Sequence, residues 1–423
     1  MIWSSLASFA VAAFICAGML RKGADILSPG RVFGLTWSLV FGFASLKFSG
    51  LQSEWSFTDW ACALMGPCSF LLGLFIAYAQ NLGVPNLSVS EMRRIVKTQN
   101  VGTTTLFRLV IFSFILYLTG YAVIYMVKGY LPIFSKTPSA SRIDYFVFGF
   151  GLFIYNMPIV ILFSLIYHLY AKGELIKKWI LNSCVAISIT TYLFLLQRYQ
   201  LMLISMVIFV VLYYSTRKIR ARTVLAFAIV GIVVVYSIST LRVGQVVQLV
   251  LYKTSLMKFS YDYAIFTEPY MYLVMGIENF VRAIGKLDQH TFGYYTFDFA
   301  LALSGLKHWM SDYFGIVETP YLNSGYNTYT LFWPFYRDFG FLGISLVTCA
   351  GGVFVGWIYH SMRQKPTIGL ISTYAMLVFV MSLSFFLSPL GFLWFIYVLA
   401  WMGLVFRLIR VRASQDTRAL HAT

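Results

Sequence analysis

Apolar residues gather into blocks of about 20 along nearly the whole chain, separated by short polar connectors. Runs at roughly 2–20, 32–50, 60–80, 106–127, 145–170, 179–197, 199–216, 223–241, 340–361, 367–387 and 391–406 each approach the length that crosses a hydrocarbon core. The pattern predicts an all-α polytopic membrane fold of about 11 transmembrane helices, or 12–14 if short or re-entrant segments enter the bilayer. The first run starts without a basic lead and is followed by Arg21 and Lys22, which predicts a retained helix and not a cleaved signal peptide.

Charge then supplies orientation. Hydrophobic residues make up 59% of the chain and charged residues 11%, which excludes a soluble globular domain. When the runs alternate across a membrane, Arg21, Arg31, Arg93, Arg94, Lys97, Lys172, Lys177, Lys178, Arg217, Arg363 and Arg407 fall on one face. The positive-inside rule makes that face cytoplasmic. The short connectors opposite hold only Lys47, Lys128, Lys136, Arg142 and Arg198, so the N-terminus is expected outside and the C-terminus inside. The formal net charge of +17 therefore reports topology, and no nucleic-acid partner is expected. Cys16, Cys62, Cys68, Cys184 and Cys349 sit within apolar runs, without a C-x-x-C pair, and read as small membrane-core residues.

One connector breaks the short-loop pattern. Residues 242–339 form a long outer-face segment that holds eight of the fifteen acidic residues and is rich in Tyr, Phe and Asn. Loops of this length usually carry function. Within it, Glu268-Pro269 starts an expected helix from Pro269 to Phe280, because proline is tolerated at the first helical position. A second short helix is expected from Tyr294 to Gly305. The organisation is thus a bundle of about eight helices over 1–241, the long loop with interfacial helices over 242–339, C-terminal transmembrane helices over 340–412 and a cytoplasmic tail over 413–423.

Candidate chemistry collects on the outer side. Arg142, Arg198, Arg242 and Arg337 lie at outer helix ends. A guanidinium is always charged and presents a planar donor fork that suits phosphate oxygens, although snorkelling to headgroups is the plainer role for any one of them. The segment from Asn323 to Gly343 is dense in polar groups: Asn327, Tyr329 and Tyr336 can position sugar, and Asp338 can act as a base or pair with an arginine. His290 and Glu268 are further candidate bases, with Glu278 and Asp262 nearby, although a solvated loop histidine is the plainer role for His290. No acidic triplet or paired histidine motif suggests a metal, so no metal and no cofactor is expected.

The order of these parts resembles the Wzy-type family of bacterial O-antigen and oligosaccharide repeat-unit polymerases. The resemblance rests on the Pro-x-Phe-Ser loop that ends at Arg142, the arginine after a middle helix (Arg242), and the N-T-Y-T…Y-R-D-F-G-x-x-G element from Asn327 to Gly343. Earlier helices match only in hydropathy and spacing. The resemblance implies a fold similar to the GT-C class in the bacterial inner membrane, with the active site facing the periplasm. It also implies undecaprenyl-pyrophosphate-linked oligosaccharide as both donor and acceptor, among membrane lipids. A flippase and a chain-length-regulating co-polymerase would be its partners. On that footing Arg142, Arg242 and Arg337, with Arg198 as a weaker fourth, would hold pyrophosphate, and Asp338, Glu268 or His290 would take the acceptor's proton. An O-antigen ligase or a flippase of lipid-linked sugars are the competing readings.

Overall fold

The computed structural model describes residues 2–21, 23–216, 237, 247–287, 289–314, 323, 325–386 and 388–409. The regular structure among them is helical, with one isolated antiparallel bridge between Ser49 and Met257. In chain order the helices are α1 (Ile2–Met19), α2 (Pro29–Ala44), α3 (Phe57–Gln80), α4 (Val89–Lys97), α5 (Thr103–Lys128), α6 (Met157–Tyr170), α7 (Leu175–Leu193) and α8 (Tyr199–Ser215). They continue as α9 (Val247–Thr254), α10 (Thr267–Ile284), α11 (Asp298–Ser304), α12 (Leu306–Phe314), α13 (Trp333–Gln364), α14 (Ile368–Ser382) and α15 (Leu393–Leu408). Every apolar run within the described residues carries a helix; the run at 223–241, and Arg242 after it, lie outside them.

Four helical segments are long and apolar enough to cross a membrane: Phe57–Gln80, Thr103–Phe134, Gly151–Tyr170 and Trp333–Gln364. Shorter apolar helices occur at Trp3–Met19, Tyr199–Ser215, Ile368–Ser382 and Leu393–Leu408. Large apolar side chains on the long helices point away from the protein: Phe75 is 63% exposed, Leu346 66% and Trp357 58%. Such a surface suits lipid contact, because apolar patches of this kind are rare on proteins that face only water.

The chain forms two compact units, interleaved along the sequence. The first comprises Met1–Asn86, Gln248–Gln364 and Leu377–Phe395, and the second Leu87–Val247, Lys365–Met376 and Ile396–Thr423.

In the first unit α3 lies tightly against α13 because small residues face each other. A Cβ on Gly73 would sit 2.0 Å from the Cys349 carbonyl oxygen, one on Gly352 2.2 Å from that of Phe70, and one on Gly356 2.5 Å from the Ala77 Cβ. Between apolar helices, where lipid competes equally for any apolar side chain, this close backbone approach supplies the packing. The indole N–H of Trp37 donates to the Ser384 hydroxyl at 2.9 Å and ties α2 to the stretch after α14. The C-terminal run was expected to start its helix at 340, but α13 begins seven residues earlier, at Trp333-Pro334, and is interrupted at Gly340 (φ 61°, ψ −144°). That backbone conformation is essentially restricted to glycine.

In the second unit α5 packs on α6 and α7, and Gly120 lets the Phe153 side chain approach to 2.7 Å of where a Cβ would sit. The expected 145–170 helix is divided: a single turn at Gly151–Ile154 precedes α6, where Pro158 lacks the N–H needed to continue the earlier turn. Trp401 donates to Ser113 at 3.0 Å and Asn156 to the Tyr397 hydroxyl at 2.8 Å, so buried polar atoms hold the C-terminal helix in this unit. Helix α4 is amphipathic and opens on a reciprocal cap between Ser88 and Glu91; Arg93 on it donates to the Tyr213 carbonyl at 2.8 Å.

Candidate functional site

The candidate chemistry expected in the long 242–339 segment is built, in the first unit, on α10. Its expected start at Glu268-Pro269 holds to within two residues, and it runs on to Ile284 because its Val, Met and Ile positions are buried. Two polar residues on this otherwise apolar helix are buried and fully committed. The Glu278 carboxylate accepts from the Ser53 N–H at 2.5 Å, the Ser53 hydroxyl at 2.7 Å, the Trp55 indole at 3.1 Å and the Lys47 ammonium at 3.4 Å. Burial lowers the pKa of Lys47, and the facing carboxylate only partly opposes that shift. Glu278 therefore anchors the 47–55 turn.

Its neighbour Asn279 was missed in the sequence reading. It donates to the carbonyls of Thr328 at 2.9 Å and Tyr326 at 3.3 Å, and accepts from the Asn323 N–H and side-chain amide, both at 3.0 Å. Arg282 donates to the Asn323 side chain one turn further on. The available signal was an Asn next to a Glu in the middle of a helix whose neighbouring positions are apolar. Together these contacts fix the turn at Asn323 and the 325–328 stretch that holds Asn327.

At the Gly340 break, α13 meets the 289–296 segment. Carbonyls released by the break are taken up there: Thr291 N–H donates to Arg337 O at 3.2 Å and Phe292 N–H to Asp338 O at 3.3 Å. The Asp338 side chain, fully buried, accepts from the Thr291 hydroxyl at 2.6 Å, the Tyr295 N–H at 3.2 Å and the Thr296 N–H at 2.6 Å. Both its oxygens are engaged, so it clamps the loop. His290 lies against the same corner; its ring nitrogen is 3.3 Å from the Arg337 carbonyl oxygen and its ring is edge-on to Tyr336.

Arg337 itself is 5% exposed. Its guanidinium donates to Gln289 O at 3.2 Å and bonds the Tyr295 hydroxyl, while its Nε–H has no partner. Among the described residues no carboxylate lies within ion-pair distance of it. Burial pushes the Tyr295 phenol up to about 12, opposed by the neighbouring guanidinium. The Thr296 hydroxyl, two residues from Tyr294 on the same segment, is also buried without a partner.

Glu268 and Asn327 meet elsewhere in this unit, in a cleft of about 120 Å³ whose walls also include Thr267, Tyr326 and Thr328. Tyr329 and Tyr336, by contrast, serve packing. Tyr329 stacks on Trp333 with ring centroids 4.3 Å apart, and Tyr336 is buried against Phe280 and Phe341.

Arg142 and Arg198 belong to the second unit. The turns that carry them share one end of it: the Ile133 N–H donates to Phe194 O at 3.1 Å, and the Phe134 and Phe194 rings are 5.7 Å apart. The Tyr145 hydroxyl, three residues after Arg142, and the Gln200 side-chain oxygen, two after Arg198, are both buried and without a hydrogen-bond partner. Arg142 closes a single helical turn, Pro138–Ser141, and Arg198 caps α8. Among the described residues no group of three His, Cys, Asp or Glu side chains is placed to hold a metal ion.

No protein-family model matches this chain, and comparison with curated proteins and with solved structures gives no match either.

Proposed function

We propose that this protein is a membrane glycosyltransferase that polymerises lipid-pyrophosphate-linked oligosaccharide repeat units at the outer face of the bacterial inner membrane, in the manner of the Wzy-type polymerases it resembles. The observation that carries the reading is Arg337: a buried guanidinium with an unpartnered N–H and, among the described residues, no carboxylate in ion-pair reach, at the break of a helix apolar enough to span a bilayer. A buried cation without an anion is costly, so one held this rigidly fits a site completed by an anionic substrate. Pyrophosphate is such an anion.

In the reaction the acceptor hydroxyl attacks the anomeric carbon of the donor sugar, the bond from that carbon to the pyrophosphate oxygen breaks, and the negative charge left on pyrophosphate is stabilised by Arg337. The acceptor's proton passes to a carboxylate. Asp338 is poorly placed for that role, because its oxygens are engaged by three donors, and Glu268 in the cleft is the candidate. The resemblance adds a co-polymerase that sets chain length and a flippase that delivers the repeat unit as partners in the cell.

Reconstitution into liposomes with an undecaprenyl-pyrophosphate-linked repeat unit tests the reading. Lengthening by the wild type, lost in Arg337→Gln with the protein still folded, is the expected result. Movement of the lipid across the bilayer without lengthening would instead make it a flippase, and transfer only onto lipid A core a ligase.

A further inference from the structure

We infer that the cleft between the start of α1 and the turn after α2 binds a phospholipid whose headgroup carries a primary ammonium as well as a phosphate, as an ethanolamine headgroup does. The cleft belongs to the first unit, lies apart from the candidate residues above, and its reading is independent of glycosyl transfer. Its volume of about 520 Å³ falls within the roughly 300–1,000 Å³ of small-molecule sites. The Ser45 hydroxyl, at the end of α2, lines the cleft; it is buried and has no hydrogen-bond partner among the described residues. A ligand oxygen can complete it.

Two lysines line the cleft with it. The Lys47 ammonium reaches Glu278 at 3.4 Å and lies 4.5 Å from the centre of the Trp55 ring. An ammonium has more donors than these two contacts use, so Lys47 can still serve a phosphate oxygen. Lys258 is fixed beside it through the backbone: the Lys258 N–H donates to Phe48 O and the Gly50 N–H to Leu256 O, both at 2.8 Å, next to the Ser49–Met257 bridge. Burial lowers the pKa of Lys47; after Glu278, Glu54 opposes that shift and Lys258 adds to it, so the three charges share one small region. Among the described residues neither Lys258 nor Glu54 has an opposite charge within ion-pair distance. A phosphate answers the lysines and the Ser45 hydroxyl but sets a like charge near Glu54. A headgroup that carries both signs answers all four.

The apolar part of the lining makes the ligand a lipid. Leu6 and Phe9 of α1 and Phe48 of the turn form it, and α1 is an apolar helix on which Trp3, Leu6 and Phe14 are largely exposed. Acyl chains leaving the cleft therefore meet an apolar surface to lie along. A bound headgroup would join α1 to the 47–55 turn, which Glu278 already ties to α10.

Native mass spectrometry of the full chain in detergent tests this with dioleoyl phosphatidylethanolamine, phosphatidylglycerol and phosphatidylcholine, and with free phosphoethanolamine. The ethanolamine lipid is expected to bind roughly threefold or more tightly than the other two lipids, because the glycerol headgroup brings Glu54 no cation and the choline headgroup no N–H. Glu54→Gln should bring the ethanolamine and glycerol lipids to equal affinity. Lys258→Gln and Ser45→Ala should each weaken the ethanolamine lipid by roughly threefold or more, and Lys286→Gln, outside the cleft, should leave it unchanged. Lys258 and Glu54 are exposed, so their variants test the site even where Ser45→Ala lowers the unfolding temperature. Absence of bound ethanolamine lipid, equal affinity of the wild type for the three lipids, free phosphoethanolamine binding as tightly as the lipid, or indifference to both Lys258→Gln and Glu54→Gln would overturn the proposal.

Discussion

Asp338 shows how a residue that reads as chemistry can be architecture. From the sequence it offered either a base or an ion-pair partner, because local spacing does not reveal that Thr291, Tyr295 and Thr296, more than forty positions earlier, aim three donors at it. Asp338→Ala would leave those donors unsatisfied in a buried place, and a loss of about 2–3 kcal/mol is expected, read as a lower unfolding temperature in detergent. Asp338→Asn should lose less, since the amide oxygen still accepts while its NH₂ faces a backbone donor. If Asp338 were instead the base, both variants would unfold like wild type and fail only in chain lengthening. Tyr295, on the same loop, gives a pH prediction. Its folded pKa is raised to about 12 from an ordinary value near 10, so the folded state keeps a proton that the unfolded chain releases. That contribution is fully present below pH 10 and is lost as pH rises through 12. Tyr295→Phe should therefore flatten the fall of unfolding temperature with pH between 10 and 11.5; an unchanged slope would show that this phenol does not titrate differently on folding.

At the scale of elements, the broken helix α13 joins packing to chemistry. Its C-terminal part is held to α3 by glycines that permit backbone contact, and its N-terminal part carries Arg337 and Asp338 into the loop corner. The hydropathy pattern located the apolar part well but placed its start at 340, because Tyr336, Arg337 and Asp338 look like loop residues when their burial partners are unknown. Gly340 sits at the break: its φ of 61° and ψ of −144° belong to glycine, and a Cβ there would meet the His290 ring at 3.1 Å. Gly340→Ala is expected to cost about 1–3 kcal/mol and to displace the His290 corner, so anion binding at Arg337 should weaken together with stability. A variant that kept wild-type stability and lengthened chains normally would show that the break is incidental. Gly73→Leu probes the other half of the element. Its side chain would drive α3 away from the Cys349 carbonyl, and a stability loss without any direct contact to the loop corner is the expected outcome.

For the molecule as a whole, the apolar runs that become helices were legible because crossing a bilayer imposes a length rule on local sequence. The pairings that join runs were not. Trp37 with Ser384 and Asn156 with Tyr397 connect single polar groups hundreds of residues apart, and each lies within an ordinary apolar stretch. For the same reason the chain's division into two interleaved units does not follow from the order of its runs. The orientation rule still makes a prediction that packing cannot. If the N-terminus is outside, the Pro132 turn and the α10–α13 loops face the periplasm, whereas α4 and the Lys172 turn face the cytoplasm. In a cysteine-free background, Lys136→Cys and Lys286→Cys should react with a membrane-impermeant maleimide in intact spheroplasts, and Ser90→Cys and Lys172→Cys only after permeabilisation. The reverse labelling would place Arg337 and the Glu268 cleft on the cytoplasmic side. Both would then face nucleotide-linked precursors instead of finished lipid-linked repeat units, and the polymerase reading would fall even if every residue-level prediction held.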